Sequence, residues 1–476
     1  MNNPLSEYQS KTAFDEMFFK NKVVRESHKS LKENIEGLGS EDLDSRQDLI
    51  DKSMMKMGIT FNVYHDMRGT ERIFPLNVIP RVIPFSEWKV IEEGLQQRIK
   101  ALNLFIQDIY NDQKILKDGK IPSEYILNSS TFLKECMGIT PAKSIWCHIT
   151  GTDLIRDENG DFVVLEDNLR CPSGVAYMLE NREIMKRVYS TFFEKSNILP
   201  ISEYPDHLLS MLRYLSDVDN PTVAILSPGI YNSAYFEHSF LARKLGVPLV
   251  QASDLVIKDN KVYMKTIKEL KRVHVIYRRI DDAYLDPLTF NPDSLLGVPG
   301  LFKSFRDGNV ALVNAPGTGI ADDKLIYTFV PEFIRYYLNE EPKLKNVKTY
   351  NCTDKTDLKY VIENLPKLVV KAVNEAGGYG MLVGPASTKE EQAEFKDKIL
   401  DDPRNYIAQP VVNFSTSPSY VDGKLGARHV DLRPYIIYGE EIKIVPGGLS
   451  RVALKENSLV VNSSQGGGSK DTWIIK

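Results

Sequence analysis

The sequence predicts an α/β protein with α+β elements, built as two or three domains around a shared cleft. Its 476 residues exceed what one ordinary core organises, and clefts between domains are where small ligands usually sit. The run VAILSPG (Val223 to Gly229) followed by SAYFEHSFLARKLGVPLV reads as strand, loop, helix, strand. Further on, the β-branched run Leu368-Val369-Val370 ends in Lys371 and a glycine-rich stretch, the pattern of a strand feeding a ligand loop.

Composition narrows the class. The chain is 42% hydrophobic and 26% charged with a net charge of -4 and no long block of like charge, so it carries no electrostatic footprint for nucleic acid. No segment approaches about twenty consecutive apolar residues, and MNNPLSEYQSKTAFDEMFFKNK lacks the apolar stretch of a signal peptide, so a cytoplasmic protein with no membrane span is expected. Cys136, Cys147, Cys171 and Cys352 form no CxxC pair and show no metal-ligand spacing with the histidines, which predicts reduced core thiols. His148 and His429 read as structural residues.

Residues 1–80 begin charged and helix-prone, turn to strand character at Ile59 to Tyr64, and show no chemistry. Residues 81–205 open with an amphipathic helix from Ser86 to Tyr110, capped by Ser86, with Val90, Ile91, Leu95, Ile99, Leu102 and Ile106 at helical spacing. Residues 220–318 read as a Rossmann-like domain. It lacks GxGxxG after its first strand, which favours a substrate platform over a dinucleotide site. The strand and loop ALVNAPGT end it, and residues 319–476 form the last unit.

The most informative segment is Thr152 to Asn168. Asn159-Gly160 is a strong hairpin signal, and a two-residue turn there pairs Glu158 with Asp161 and, counting outward, Asp153 with Glu166. Period-two alternation then puts Asn168 on the same face and turns Val163 and Leu165 towards a core. Two carboxylates and an amide oxygen on one face form a hard-oxygen site suited to Mg²⁺; a solvated polar sheet face is the other reading of the hairpin taken alone. Arg170, Pro172, Ser173 and Gly174 follow in LRCPSG, which sets a guanidinium and a turn with free backbone donors beside that face, a place for an anionic substrate group.

The second constellation is Leu368 to Met381. Gly377, Gly378 and Gly380 let a backbone fold over a polyphosphate, and Lys371 brings a positive charge from the strand. The lysine precedes the glycines and no Gly-Lys-Ser/Thr opens a helix, so this is not a Walker A loop. Tyr406 to Val412 reads as a strand interrupted by Pro410, a hinge whose exposed backbone can meet an adenine edge. Lys324, after Asp322-Asp323 at the start of an amphipathic stretch with Tyr327, Val330 and Phe333, is either a second phosphate lysine or a solvated helix-start charge. His429 to Ile436 alternates as a strand with His429, Asp431 and Arg433 on one face, from which an arginine can reach a transferred phosphoryl group.

Together GTDLIR, VLEDNLRCPSG, YRRIDD, GTGIADDK, VVKAVNEAGGYG, IAQP, HVDLRP, PGGLSRVA and NSSQGGGSKDTW resemble the circularly permuted type 2 ATP-grasp family, over roughly residues 70–476. Relatives of that family include the synthetase domain of glutathionylspermidine synthase. The resemblance implies a circularly permuted ATP-grasp fold with a Rossmann-like pre-ATP-grasp domain, and ATP and Mg²⁺ as ligands. It implies that Asp153, Glu166 and Asn168 match the magnesium ligands, that Lys324 and Lys371 match the nucleotide lysines, and that Gly377, Gly378 and Gly380 match the phosphate loop. Gln409 stands at the adenine hinge, Arg433 on the strand that presents a phosphate-directed arginine, and Arg170 and Ser173 beside the metal. Arg278 and Arg279 lie on the carboxylate-substrate side, or else form a salt-bridged surface pair.

The implied activity is ATP-dependent ligation of a small-molecule or peptide carboxylate to an amine through an acyl phosphate. Phosphotransfer to an acceptor, or nucleotide binding by a scaffold without turnover, are the other readings of the same lobes.

Overall fold

The computed structural model describes residues 3–6, 8–10, 13–62, 71–375, 380–456, 458–461 and 466–476. Three sheets position the site. The first is fully parallel, in the order Ala311–Val313, Val275–Arg278, Val223–Leu226, Leu249–Val250. The helix Tyr235–Leu245 returns the chain from Val223–Leu226 to its neighbour, and the strand order reverses beside Val275–Arg278, the topological switch point of an open α/β sheet.

The second sheet has nine strands. Its central path runs Lys345–Asn346, Phe162–Asn168, Ile149–Arg156, Lys424–Arg433, Leu449–Val452, Gly468–Lys470. The third has four antiparallel strands, ordered Tyr350–Asn351, Tyr406–Pro410, Leu368–Ala372, Met381–Val383. Pro410 is the last residue of an inner strand, where its missing N–H ends the ladder, and the chain crosses from there to Thr416–Val421 in the large sheet.

The long helix spans Phe85–Tyr110 and turns Ile91, Leu95, Ile99, Leu102 and Ile106 into the main core. Two details differ from the sequence reading. Val90 is 56% exposed, because it lies one position off that stripe. Ser86 is inside the helix and the cap position falls on Pro84, which makes no side-chain bond. The helix also carries Arg98 inward, where Nε and Nη2 donate to both carboxylate oxygens of Asp167 on the hairpin at 2.6–2.9 Å and Nη1 donates to Asn346. Helix and hairpin are thereby fastened at a buried point.

The described helices of the N-terminal segment pack into the body of the protein. Leu31, Ile35, Leu43, Ile50 and Met54 share one core with Val175, Met178 and Met185 of the helix Val175–Val188 and with Trp473. Of the strand expected at Ile59 to Tyr64, Thr60–Asn62 is present, and Val63 and Tyr64 lie outside the described residues. Glu16 is buried against Arg81, which donates to both its carboxylate oxygens at 2.6 and 2.8 Å, and Ser415 donates to Oε1 at 2.7 Å. The same Arg81 donates to the main-chain carbonyl of Asp431 at 2.7 Å, so the N-terminal segment reaches the strand that carries site residues.

Burial alone would raise the Glu16 carboxyl, but Arg81 and Arg156 outweigh it and bring it down to about 2. A depressed carboxyl contributes stability above its unfolded value of 4.5 and loses it as pH falls towards 2. His28, buried and pushed down to about 4, acts in the same direction between its ordinary 6.5 and 4. Unfolding free energy measured by denaturant titration is therefore expected to fall as pH drops below neutral, and Glu16→Gln is expected to flatten the part of that loss below pH 4.5.

Candidate active site

The carboxylate hairpin forms by a route other than a two-residue turn. Arg156 pairs with Phe162, so the loop is Asp157 to Asp161, and Asp157 Oδ1 accepts from the backbone N–H of Asn159 and of Asp161 at 2.9 Å. Gly160 supplies the left-handed residue, with φ 91°. The odd loop would shift the register by one, but a bulge between Asp153 and Leu154 restores it. Asp153 still faces Glu166, as the turn arithmetic predicts. The bulge also turns Leu165 into the cleft beside Glu166, so Leu165 is a wall of the cavity as well as a packing residue for Ile155 and Val163.

That cleft is a cavity of about 520 Å³ between the four-stranded and nine-stranded sheets. Lys324, Lys371 and Gln409 line one side; Asp153, Glu166, Asp431 and Arg451 line the other. Val369, Val383, Phe414, Leu459 and Val461 give it an apolar end. The hinge segment Gln409 to Val412 borders it throughout, and Gln409 donates through Nε2 to Thr349 Oγ1 at 3.0 Å.

Lys324 follows Asp323, whose carboxylate caps the short helix Lys324–Tyr327 by accepting from the N–H of Leu325 and Ile326. Its ammonium is largely covered, 3.7 Å from Glu166 Oε2, and donates to the Glu375 carbonyl at 2.6 Å, so it is not a solvated helix-start charge. Lys371 projects from the strand Leu368–Ala372 and has no carboxylate within ion-pair distance among the described residues. Burial pushes its ammonium pKa down, Glu166 pulls it up and Lys324 pushes it down again. A desolvated cation with no full counter-ion is prepared to meet an anion. Gly380, at φ 60°, closes the glycine segment by accepting at its carbonyl from the Ala372 N–H at 3.0 Å; Gly377 and Gly378 lie outside the described residues.

Asp153 is fully buried. Arg433 grips it with Nε and Nη2 at 2.5 and 2.7 Å, and Arg451 Nη2 adds a third bond at 2.7 Å. Burial alone would raise this carboxyl, but the two guanidiniums outweigh it and hold it well below the usual range. Arg451 is itself chelated by Asp431, through Nε at 2.9 and 3.0 Å and through Nη2. Asn168 lies two residues from Glu166 on the same strand and engages Gly151 through its amide nitrogen, which leaves the amide oxygen as its acceptor. Ionised carboxylates and an amide oxygen fit a small hard cation. Among the described residues no cluster of three His, Cys, Asp or Glu side chains is arranged to hold a metal.

Arg170, Ser173, Arg278 and Arg279 are not among the residues that line the cavity. Arg170 Nε donates to Asp322 at 2.6 Å, and the same carboxylate accepts from the Leu169 N–H. Ser173 offers its carbonyl to Tyr435 Oη at 3.1 Å and to Arg433 Nη1 at 3.4 Å. Arg278 is buried, with Asp282 at 2.7 Å and the carbonyls of Ile280, Asn314 and Ala315 as partners. Arg279 donates to the Pro172 carbonyl, Tyr277 Oη and Glu237. Neither is a surface pair: Arg278 ties its own strand to Asp282 and the Asn314–Ala315 carbonyls, while Arg279 holds the Pro172 to Gly174 turn against the parallel sheet, where Glu237 accepts from the N–H of Gly174 and Ala176. His148 and His429 bond main-chain carbonyls of Tyr438 and Phe414, and all four cysteines are free.

Sequence reasoning assigned no role to Arg451 or Asp431. Asp431 appears in the alternation of His429 to Arg433, and Arg451 in PGGLSRVA, but what joins them is the antiparallel register in which they are direct partners.

The family model described as "Circularly permuted ATP-grasp type 2" matches residues 80–453, and the chain belongs to that family. An uncharacterized Synechocystis protein is 52% identical over 99% of both chains, and an uncharacterized Mycobacterium tuberculosis protein is 48% identical over 97% of this chain and 84% of its own. A Frankia alni protein provisionally named a glutamate–cysteine ligase is 38% identical over 99% of this chain but only 54% of its own length. The glutathione synthetase-like effector of Globodera pallida shares the fold, with a TM-score of 0.56 at 11% identity over 91% of this chain and 96% of that one. The fold class predicted from sequence is thus the fold observed. No described helix is long and apolar enough to cross a membrane.

Proposed function

We propose that this protein is an ATP-dependent carboxylate–amine ligase that works through an acyl phosphate and releases ADP. The observation that carries the reading is the cavity between the two sheets, with two lysines on one wall facing three buried or half-buried carboxylates and an arginine on the other. Val369, Val383, Leu459 and Val461 suit a base, and Gln409 has polar atoms to read its edge. Lys324 and Lys371 would then lie along the polyphosphate, and Glu166 and Asp153, with Asn168 two residues along the strand, would hold Mg²⁺, which would supply compensation for charge spreading onto the phosphoryl oxygens.

A carboxylate oxygen of the substrate attacks the γ-phosphorus in line and ADP leaves. The amine nitrogen then attacks the acyl carbon, loses a proton, and inorganic phosphate departs with one former carboxylate oxygen. Arg433 and Arg170 would border the place where that carboxylate sits, and Ser173, on the turn that Arg279 braces, would shape it, with Arg278 fixing the strand beneath. The provisional name of the Frankia relative belongs to a protein nearly twice as long, so glutamate and cysteine are the first candidates to try rather than an assignment.

Phosphate release from Mg-ATP across pooled carboxylates and amines tests the reading. Release that requires both co-substrates is expected. A phosphorylated acceptor formed without an amine would make the protein a phosphotransferase instead.

A further inference from the structure

The arginine that faces the cavity is Arg451; Arg433 lies behind the carboxylate they share. We infer that Arg451, anchored by Asp431, is a built-in counter-ion that occupies Asp153 until a metal–nucleotide complex displaces it, so that the divalent cation enters with the nucleotide and not before it. This rests on the proposed function of the same site.

Three observations support it. The oxygens of Asp153 already accept three guanidinium bonds, two on Oδ2, so a cation cannot approach Oδ2 while Arg451 holds it. The cavity lining carries the carboxylates Asp153, Glu166, Glu375 and Asp431 against Lys324, Lys371 and Arg451, and Arg433, bonded to Asp153 from behind, supplies the fourth cation, which leaves little surplus negative charge to draw a bare dication. The described residues also provide no three-carboxylate or histidine cluster that could hold a cation alone. A polyphosphate changes all three conditions, since it brings negative charge, further oxygen ligands for the cation, and an anion for the displaced guanidinium. Asp431 keeps Arg451 within reach because it grips Nε and Nη2 together, and a planar guanidinium held on that edge can only pivot. Asp431 is thus a positioning residue.

The test is Mn²⁺ binding to the whole chain, read by electron paramagnetic resonance, with and without a non-hydrolysable ATP analogue. In the wild type, Mn²⁺ binding is expected to be at least about tenfold tighter with the nucleotide than without it. Arg451→Met is expected to raise Mn²⁺ affinity in the nucleotide-free protein by about tenfold and to weaken binding of the analogue, with Arg451→Lys intermediate in both. Equal Mn²⁺ binding by the wild type in the two conditions overturns the inference alone. No Mn²⁺ or analogue binding in either condition overturns the proposed function and this inference with it. The wild-type comparison can overturn the inference even if Arg451→Met fails to fold, and Arg451→Lys then carries the test of the residue; a folded Arg451→Met with unchanged nucleotide-free Mn²⁺ affinity overturns the role given to Arg451.

Discussion

Lys371→Met is expected to weaken Mg-ATP binding by about 1.5–3 kcal/mol, on the order of ten- to a hundredfold, without lowering the thermal unfolding temperature. The ammonium is desolvated, lies beside Lys324 and has no close carboxylate among the described residues, so its free energy is realised when an anion arrives. Methionine matches its length on the strand and removes a half-buried charge without a close counter-ion, which favours the empty protein if it changes it at all. Calorimetric titration of both proteins, with thermal melts as the control for folding, checks the prediction. Equal affinities would remove Lys371 from the phosphate site.

Arg98→Met is expected to produce the largest loss of stability of any single change considered, about 3–5 kcal/mol, because it leaves the Asp167 carboxylate buried without its partner. Thr152 still donates to Asp167 at 3.1 Å, but a hydroxyl does not replace a guanidinium. The loss extends to function, since Asp167 is the immediate neighbour of Glu166 on the strand that Arg98 fastens to the long helix. Adding Asp167→Leu to Arg98→Met is expected to recover much of the stability, because an apolar pair avoids the desolvation of either charge. Guanidinium unfolding of the two variants gives the comparison.

The parts of the site that depend on local chain chemistry were legible in the sequence. Asn159-Gly160 announces the hairpin, and the strand before the glycines announces Lys371, because turn preference and β-branching act within a few residues. The facing of Asp153 and Glu166 was predicted from a turn that does not form, and it holds because the longer loop and the bulge shift the register in opposite senses. Register near a buried face is set by which side chains the core accepts, and a carboxylate that must meet two guanidiniums has one acceptable position. The Arg451–Asp431 pair was not legible for a different reason. It joins neighbouring strands of the large sheet whose pairing depends on the chain order after the Pro434 break, and no local spacing encodes that. The N-terminal helices carry a readable stripe, but that Glu16 plugs into Arg81 beneath the site strand is a tertiary fact without a local signature.

The central claim is that the cavity between the two sheets is where Mg-ATP binds. Titration calorimetry of wild-type protein with Mg-ATP, repeated with chelator and with Glu166→Gln, tests it most directly. One binding event per chain is expected, which weakens when Mg²⁺ is removed and loses that dependence in Glu166→Gln. Absence of binding by the wild type, or a magnesium dependence unaltered in Glu166→Gln, would contradict it.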